Sequence, residues 1–172
     1  MKLNIKETAV FALLGALMYS TKIIMEVLPN VHLLGVFTVA TTAVYRKKAL
    51  YPIYVYVFIN GFFSGFTMWW IPYLYIWTVL WGAVMLLPKN IPAKVKPIVY
   101  MTVCALHGFL FGTLYAPAQA LLFGLDFKGM VAWIAAGLPW DFVHGVSNFI
   151  CGTLICPIIA VLKRSEKYIT RN

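Results

Sequence analysis

The chain has 172 residues, of which 62% are hydrophobic and only 11% are charged, and its mean hydropathy is +0.85. A soluble domain usually carries about 45–50% apolar and about 25% charged residues, and a chain of this size has too little interior to hide the excess from water. Composition therefore excludes a soluble globular enzyme, a disordered chain and a disulfide-stapled secreted domain. It predicts an all-α, polytopic membrane protein with one domain, residues 1–172.

The chain carries a net charge of +9. In a soluble protein this excess would suggest nucleic acid, but in a membrane protein basic residues collect in the cytoplasmic loops. The three cysteines (Cys104, Cys151 and Cys156) lie in apolar stretches without metal or redox spacing, and we interpret them as small core residues.

Six apolar stretches are candidates for membrane-spanning helices, since a span needs about 17–25 apolar residues. The first resembles a signal peptide, but its apolar character continues to Leu28 and further stretches follow, so we expect an uncleaved span. Segment 129–138 is too short to span alone, and it is either a re-entrant helix or part of a longer broken one. The predicted spans are residues 5–28, 31–45, 49–66, 70–87, 97–115 (continuing beyond Pro117 as an option) and 139–162.

The basic residues favour one orientation. With six spans and a cytoplasmic N-terminus, only Lys22 and Lys128 fall on the outer side, and both termini lie in the cytoplasm. A seventh span or the reverse orientation breaks this pattern. The remaining basic residues, all on the inner side, are Lys2, Lys6, Arg46, Lys47, Lys48, Lys89, Lys94, Lys96, Lys163, Arg164, Lys167 and Arg171.

In this orientation the polar side chains of the spans gather on the outer side, while the inner halves are almost purely apolar. A polar group in a membrane is costly and therefore indicates function. The sequence thus predicts a ligand-binding pocket near the outer surface. The candidate pocket residues are Glu26, His32, Asn60, Tyr73, Trp77, Tyr115, Gln119, Trp133, Asp141, His144 and Asn148.

The last predicted span carries the densest polar group. Asp141, His144 and Asn148 are spaced i, i+3, i+7 and share one helical face. As alternatives to a pocket role, Asp141 could cap the start of its own helix, and His144 and Asn148 could form hydrogen bonds between helices.

Aromatic residues form a second group at the outer entrance of the fourth span. They suit the aromatic belt of a membrane interface, but Trp77 lies too deep for a belt and suits a pocket wall for a planar heterocycle. The group comprises Trp69, Trp70, Tyr73, Tyr75 and Trp77, with Trp133 and Trp140 near the last span.

Three further features are open to two interpretations. Lys22 and Glu26 are four residues apart and could form a pair, and a carboxylate here would favour a cationic or donor-rich ligand. His107 lies mid-membrane, and we interpret it as a buried histidine with satisfied hydrogen bonds. The small residues Ala12 and Ala16, and the glycine pairs 61/65 and 108/112, indicate close helix contacts.

Motifs for self-contained catalysis are missing from the sequence. It contains no G-x-x-x-x-G-K-[ST] loop for ATP, no H-E-x-x-H or G-x-S-x-G motif, and no metal-binding Cys/His spacing. A triad of Asp141, His144 and Ser147 is not expected, because side chains on one helix do not converge as a triad requires. We therefore predict a protein that is not an enzyme and holds neither metal nor cofactor.

The length, the six spans, the cytoplasmic termini and the sequence Ala12-Leu-Leu-Gly-Ala16 resemble the substrate-binding S components of energy-coupling factor (ECF) transporters. The resemblance implies a bacterial cytoplasmic membrane protein that binds a vitamin under the loop between its first two helices. It implies docking through Ala12 and Ala16 onto a transmembrane coupling subunit with two ATPase subunits, which use the ATP. Because the first loop is short here, we expect the lid to come from residues 69–70 or 124–138 instead.

Three other functions remain open. They are an ion-coupled secondary transporter, a small membrane enzyme acting on lipid with Asp141 and His144 as acid–base groups, and a purely structural subunit of a larger complex. The ligand is not readable from the sequence. Aromatic walls with Asp, His and Asn suit a pyrimidine, pyridoxine or a thiamine-like compound, and cobalamin or a queuosine precursor stays possible.

Overall fold

The chain folds into a bundle of helices. The computed structural model describes residues 3–170, and the side chains of residues 3–168, and all regular secondary structure in this range is helical. The helices are α1 (Ile5–Ile24), α2 (Leu34–Tyr45), α3 (Leu50–Ser64), α4 (Tyr73–Leu86), α5 (Lys96–Phe109), α6 (Phe111–Phe123), α7 (Phe127–Cys151) and α8 (Ile155–Thr170), with short 3₁₀ turns at Met25–Val27, Arg46–Ala49, Met68–Trp70 and Gly152–Leu154.

Within residues 3–170, four helical stretches are long and apolar enough to cross a membrane, namely Ile5–Val27, Met68–Leu86, Lys96–Phe123 and Phe127–Tyr168. Large apolar side chains cover their outer surfaces, and Leu86 and Leu121 are 88% and 86% exposed. This surface suits lipid rather than water. The predicted all-α class is confirmed, and the helices are those of a membrane protein. α2 and α3, with 12 and 15 residues, are shorter than the roughly 17 residues that a span needs.

The short helix α2 is the centre of the bundle. All of its residues except Ala43 are buried, and it packs against α1, α4, α5, α7 and α8. The hydroxyls of Thr41 and Thr42 donate to the carbonyls of Phe37 and Thr38 at 2.7 and 2.6 Å, so these two polar side chains are satisfied within the helix.

One end of the bundle collects basic side chains, and we call it the basic end (residues 46–48 and 163–164). The carboxylate of Glu7, which also completes a capping box with Asn4 at the start of α1, contacts the ammonium of Lys48. Arg46 donates to the carbonyl of Met85 at 2.9 Å. The Tyr45 hydroxyl reaches the carbonyl of Leu162 at 3.4 Å. The start of α1, the turn after α2, the end of α4 and the middle of α8 therefore meet here. Lys2 and Arg171, assigned above to the inner side, lie outside the described residues.

The last predicted span was given the wrong start. α7 begins at Phe127 and continues through Pro139, so segment 129–138 is the first half of a 25-residue helix. The start signal is Asp126, whose carboxylate accepts a hydrogen bond from the backbone nitrogen of Gly129 at 2.7 Å. Proline lacks an N–H and costs this helix one backbone hydrogen bond, but the neighbouring turns continue the helix. The fifth predicted span is divided at Leu110 into α5 and α6, and α6 does continue past Pro117.

Candidate functional site

A cavity of about 310 Å³ lies at the end of the bundle opposite the basic end. It is located beneath the chain that joins α1 to α2, and three helices complete its wall through Tyr73 (α4), Phe111 (α6) and His144 (α7). The other lining residues come from the end of α1 and the connection, namely Lys22, Met25, Glu26, Leu28, Pro29, Asn30, Val31 and His32.

The first loop (residues 28–33) covers this cavity as a tight turn. The backbone nitrogen of Val31 donates to the Leu28 carbonyl at 3.1 Å, and Asn30 has a φ of 58°, a left-handed conformation that asparagine tolerates better than most residues. The Ser147 hydroxyl is 2.9 Å from the Asn30 carbonyl, which ties the loop to α7. These hydrogen bonds therefore hold the short loop in place over the cavity.

The two segments expected to supply the lid, residues 69–70 and 124–138, do not line this cavity. The Trp70 indole nitrogen donates to the Val57 carbonyl at 2.8 Å, and the Trp69 carbonyl accepts from the Tyr115 hydroxyl at 2.9 Å. These bonds hold the segment after α3 against α3 and α6 instead.

All three histidines of the chain lie close together: His32 is in the first loop, and His107 and His144 lie behind it. The His32 and His144 rings lie 4.7 Å apart between centroids, and His144 lies 4.9 Å from Phe111. The Trp77 ring lies behind these residues, with its centroid 5.9 Å from that of Phe111, and the His107 ring lies 5.5 Å from Trp77. We call this group the histidine cluster, and it consists of His32, Tyr73, Trp77, His107, Phe111 and His144.

The histidine cluster contains buried polar atoms without a hydrogen-bond partner. They are His32 Nδ1, His107 Nδ1, His144 Nε2 and the indole nitrogen of Trp77. Leaving one buried donor or acceptor unpaired costs roughly 1–3 kcal/mol, so four in one cluster beside a cavity call for an explanation. A ligand that supplies the missing partners is such an explanation.

A second unpartnered pair lies on the other side of Trp77. Tyr56 and Asn60 are one turn apart on α3 and fully buried, and neither the Tyr56 hydroxyl nor the Asn60 amide has a partner. The Tyr56 ring lies 6.1 Å from Trp77. The predicted residue Asn60 therefore lies behind the cluster rather than on the wall of the cavity.

His107 has one partnered and one unpartnered nitrogen. Its Nε2 lies 3.1 Å from the Ile76 carbonyl. Since a carbonyl only accepts, Nε2 carries the proton, and in the neutral ring Nδ1 is then an acceptor. The interpretation of His107 as a satisfied histidine is half correct, because Nδ1 stays unpaired.

In the part of the chain that the structure describes, the charged groups that line the cavity lie at its mouth. The predicted pair is present, with Lys22 Nζ 3.2 Å from Glu26 Oε1 and the Glu26 side chain 62% exposed. In the first loop, burial lowers the pKa of His32 from 6.5 to about 4, so this imidazole is neutral at pH 7.

Asp141 and Asn148 share the buried face of α7 with His144, as the spacing predicts, but they do not line the cavity. Both carboxylate oxygens of Asp141 accept from the backbone nitrogen of Gly112 at 3.0 Å. Asp141 therefore caps the start of α6, and the expectation that it caps its own helix is wrong. Asn148 donates to the Cys104 carbonyl at 3.2 Å, which is the interhelical hydrogen bond considered above.

We expect Asp141→Leu to destabilise the fold by roughly 1–3 kcal/mol, because it leaves the Gly112 N–H unpaired and removes an anion from the start of α6. Asp141→Asn keeps an accepting oxygen and should lose less. Thermal unfolding of the purified variants measures this order. Equal stability of Asp141→Leu and wild type would contradict the capping role.

Of the three other predicted pocket residues, Tyr115 and Trp133 form a separate contact between α6 and α7. The Tyr115 and Trp133 rings stack at 5.7 Å with an interplanar angle of 18°. Gln119 is half-buried on α6. None of the three lines the cavity. Of the eleven predicted ligand residues, the structure thus brings Glu26, His32, Tyr73 and His144 to the cavity wall, with Trp77 behind them.

Phe111 was not singled out from the sequence, although it contacts His107, Trp77 and His144. Its residue type does not distinguish it, because the chain has twelve phenylalanines. The i, i+4 spacing of His107 and Phe111 was the available signal, but it needed the knowledge that α5 continues almost directly into α6.

Small residues have two different environments. Adding a Cβ to Gly108 would place it 2.9 Å from the backbone of Gly145, so α5 and α7 touch here, as the glycine pattern predicts. Ala12 is exposed and Ala16 half-buried on the outer face of α1, beside the stripe formed by the exposed side chains of Leu13 and Leu17. This face is open to lipid or to a partner.

Within residues 3–170, no group of three His, Cys, Asp or Glu side chains is arranged to hold a metal ion. Cys104 is buried in the core, and Cys151 and Cys156 pack against it, as expected of small core residues. Comparison with known proteins finds no matching family, no matching curated protein and no matching solved structure.

Proposed function

We propose that this chain is the substrate-binding component of an ECF-type transporter, which captures a vitamin or related small heterocycle and passes it to an ATP-driven coupling module. The observation that carries the proposal is the cavity under the first loop, whose wall includes His32 and His144, each with a buried nitrogen that has no hydrogen-bond partner. Such a site suits recognition of a small polar molecule, and it lies under the loop that the resemblance implies.

We further propose six spans, formed by α1, α2, α3, α4, α5–α6 and α7–α8, with both termini in the bacterial cytoplasm. The shortness of α2 is no obstacle, because a helix buried in protein does not have to match the thickness of the lipid. The positive-inside rule assigns the basic end to the cytoplasm. The cavity then faces the outside, where a nutrient arrives.

The volume of the cavity favours a small ligand. Pockets for drug-sized molecules span about 300–1,000 Å³, and 310 Å³ lies at the small end of this range. The proposed ligand is therefore a compact heterocycle, and cobalamin is disfavoured on size.

The surroundings of Asp141 favour a binding role over an enzymatic one. An acid–base pair would need Asp141 and His144 to face a common substrate, but both oxygens of Asp141 are bonded to the Gly112 N–H. In the proposed system the coupling subunit and the two ATPases supply the energy, and this chain supplies the binding site.

We propose that Ala12 and Ala16 form the docking face for the coupling subunit. Ala12→Trp with Ala16→Trp should abolish co-purification of the coupling subunit and ATPases and stop uptake, while binding of the ligand is unchanged. A bulky ring prevents close helix approach there, yet the cavity lies at the far end of α1. Affinity purification from native membranes measures the first effect.

Leu13→Trp is the matched control, because Leu13 is 70% exposed on a neighbouring stripe of the same helix. It should keep the partners. Partners that remain bound to the double tryptophan variant would contradict the docking face, and a wild-type chain that transports without any partner would contradict the proposed function.

A further inference from the structure

We propose that this site accepts an uncharged, planar heteroaromatic ligand with both a hydrogen-bond donor and an acceptor on its edge, and that it rejects cations and carboxylates. This inference rests on the proposed function and narrows its ligand class. It excludes thiamine-like cations, which the sequence left open.

No acidic side chain is available to balance a cationic ligand. The chain has five acidic residues, and only Glu26 lines the cavity, where it is paired with Lys22 and lies at the exposed mouth. The others serve elsewhere: Glu7 at the basic end, Asp126 at the start of α7, Asp141 at the start of α6 and Glu166 in α8. A cation enclosed among the rings would be unpaired and costly.

Among the side chains of residues 3–168, none that is basic is available to balance a carboxylate. Lys22 is the only Lys or Arg in this range that lines the cavity, and it is paired with Glu26. The histidines do not replace it. The low pKa of His32 keeps that ring neutral at pH 7, and His144 lies beside it at 4.7 Å, where two imidazolium charges would repel each other.

The walls favour a flat molecule. His144 contacts His32 on one side and Phe111 on the other, and Tyr73 and Phe111 contact each other at 6.4 Å. A planar guest in the cavity can stack on these aromatic side chains or meet their edges, and it gains contact at little entropic cost.

The unpartnered nitrogens define the edge of the ligand. His32 Nδ1 and His144 Nε2 each donate or accept according to the tautomer, so the two rings can adopt the tautomers that match one donor beside one acceptor on a ligand. Behind the wall, the Trp77 indole only donates and His107 Nδ1 only accepts in the neutral ring, but neither residue lines the cavity. Lactam-type and amino-substituted nitrogen rings have such an edge.

The test is native mass spectrometry of the purified full-length chain after incubation with the small-molecule fraction of yeast extract and washing at pH 7. We expect one bound compound that accurate mass and fragmentation identify as an uncharged heteroaromatic. Its occupancy should fall at least about tenfold in His144→Phe. It should persist in Trp81→Phe, whose indole bonds the Arg46 carbonyl at the basic end.

Each other outcome is decisive. A bound carboxylate or cation that is lost in His144→Phe overturns this inference and leaves the proposed function standing. A compound that is retained in His144→Phe places binding elsewhere and overturns the inference. A wild-type chain that takes up no compound from the extract overturns the proposed function and the inference together.

Discussion

Replacing His144 with phenylalanine will weaken ligand binding by at least about tenfold without loss of stability. The ring that contacts His32 and Phe111 is kept, but the unpartnered Nε2 is removed. One lost hydrogen bond in a buried site is worth about 1–3 kcal/mol, and 1.4 kcal/mol is tenfold in affinity. Removal of an unsatisfied buried group should leave the melting temperature unchanged or raise it. Isothermal titration with the compound identified by mass spectrometry measures the affinity.

Val143→Ala is the control for disturbance of α7, because Val143 is 41% exposed and points away from the cluster. Its affinity should equal that of wild type. If His144→Phe bound as tightly as wild type, the unpartnered nitrogen would have no part in recognition, and the site described here would lose its strongest support.

Replacing Gly108 with alanine will destabilise the fold by roughly 1–3 kcal/mol. The added methyl group would meet the backbone of Gly145 at 2.9 Å and the Asn148 amide at 2.8 Å, and the backbone contact cannot be relieved by a rotamer change. Separation of α5 from α7 would also stretch the bond from Asn148 to the Cys104 carbonyl. Thermal unfolding in detergent measures the loss.

Gly82→Ala is the matched control. Gly82 is also helical, but a Cβ there meets nothing within 4 Å. Because glycine costs a helix roughly 0.5–1 kcal/mol relative to alanine, Gly82→Ala should be neutral or slightly stabilising. Equal stability changes in the two variants would show that α5 and α7 are not in the close contact described here.

The sequence predicted the helical class and most helix positions because apolar runs are strong signals and charges end them. The start of α7 was missed for a local reason. Pro139 looked like the beginning of a helix, whereas Asp126 supplies the capping side chain thirteen positions earlier. Segment 129–138 is apolar and short in isolation, and only its continuity with the rest of α7 makes it part of a longer helix.

The sequence predicted which side chains share a helical face, but not which of them line the cavity. Helical spacing placed Asp141, His144 and Asn148 on one face correctly, but spacing gives a direction and not a contact. Asp141 and Asn148 meet backbone groups of neighbouring helices, and His144 alone reaches the cavity. His107 joins the histidine cluster because α5 packs against α4. The periodicity of the sequence gives no information about this packing.

The central claim is that the first loop closes a small-molecule site over the histidine cluster. Hydrogen–deuterium exchange with and without the compound that native mass spectrometry identifies tests it most directly. We predict slower exchange of the amides in residues 28–33 on binding, with no change in the turn Arg46–Ala49 at the basic end. Unchanged exchange in the first loop, with protection confined to other parts of the chain, would contradict the account.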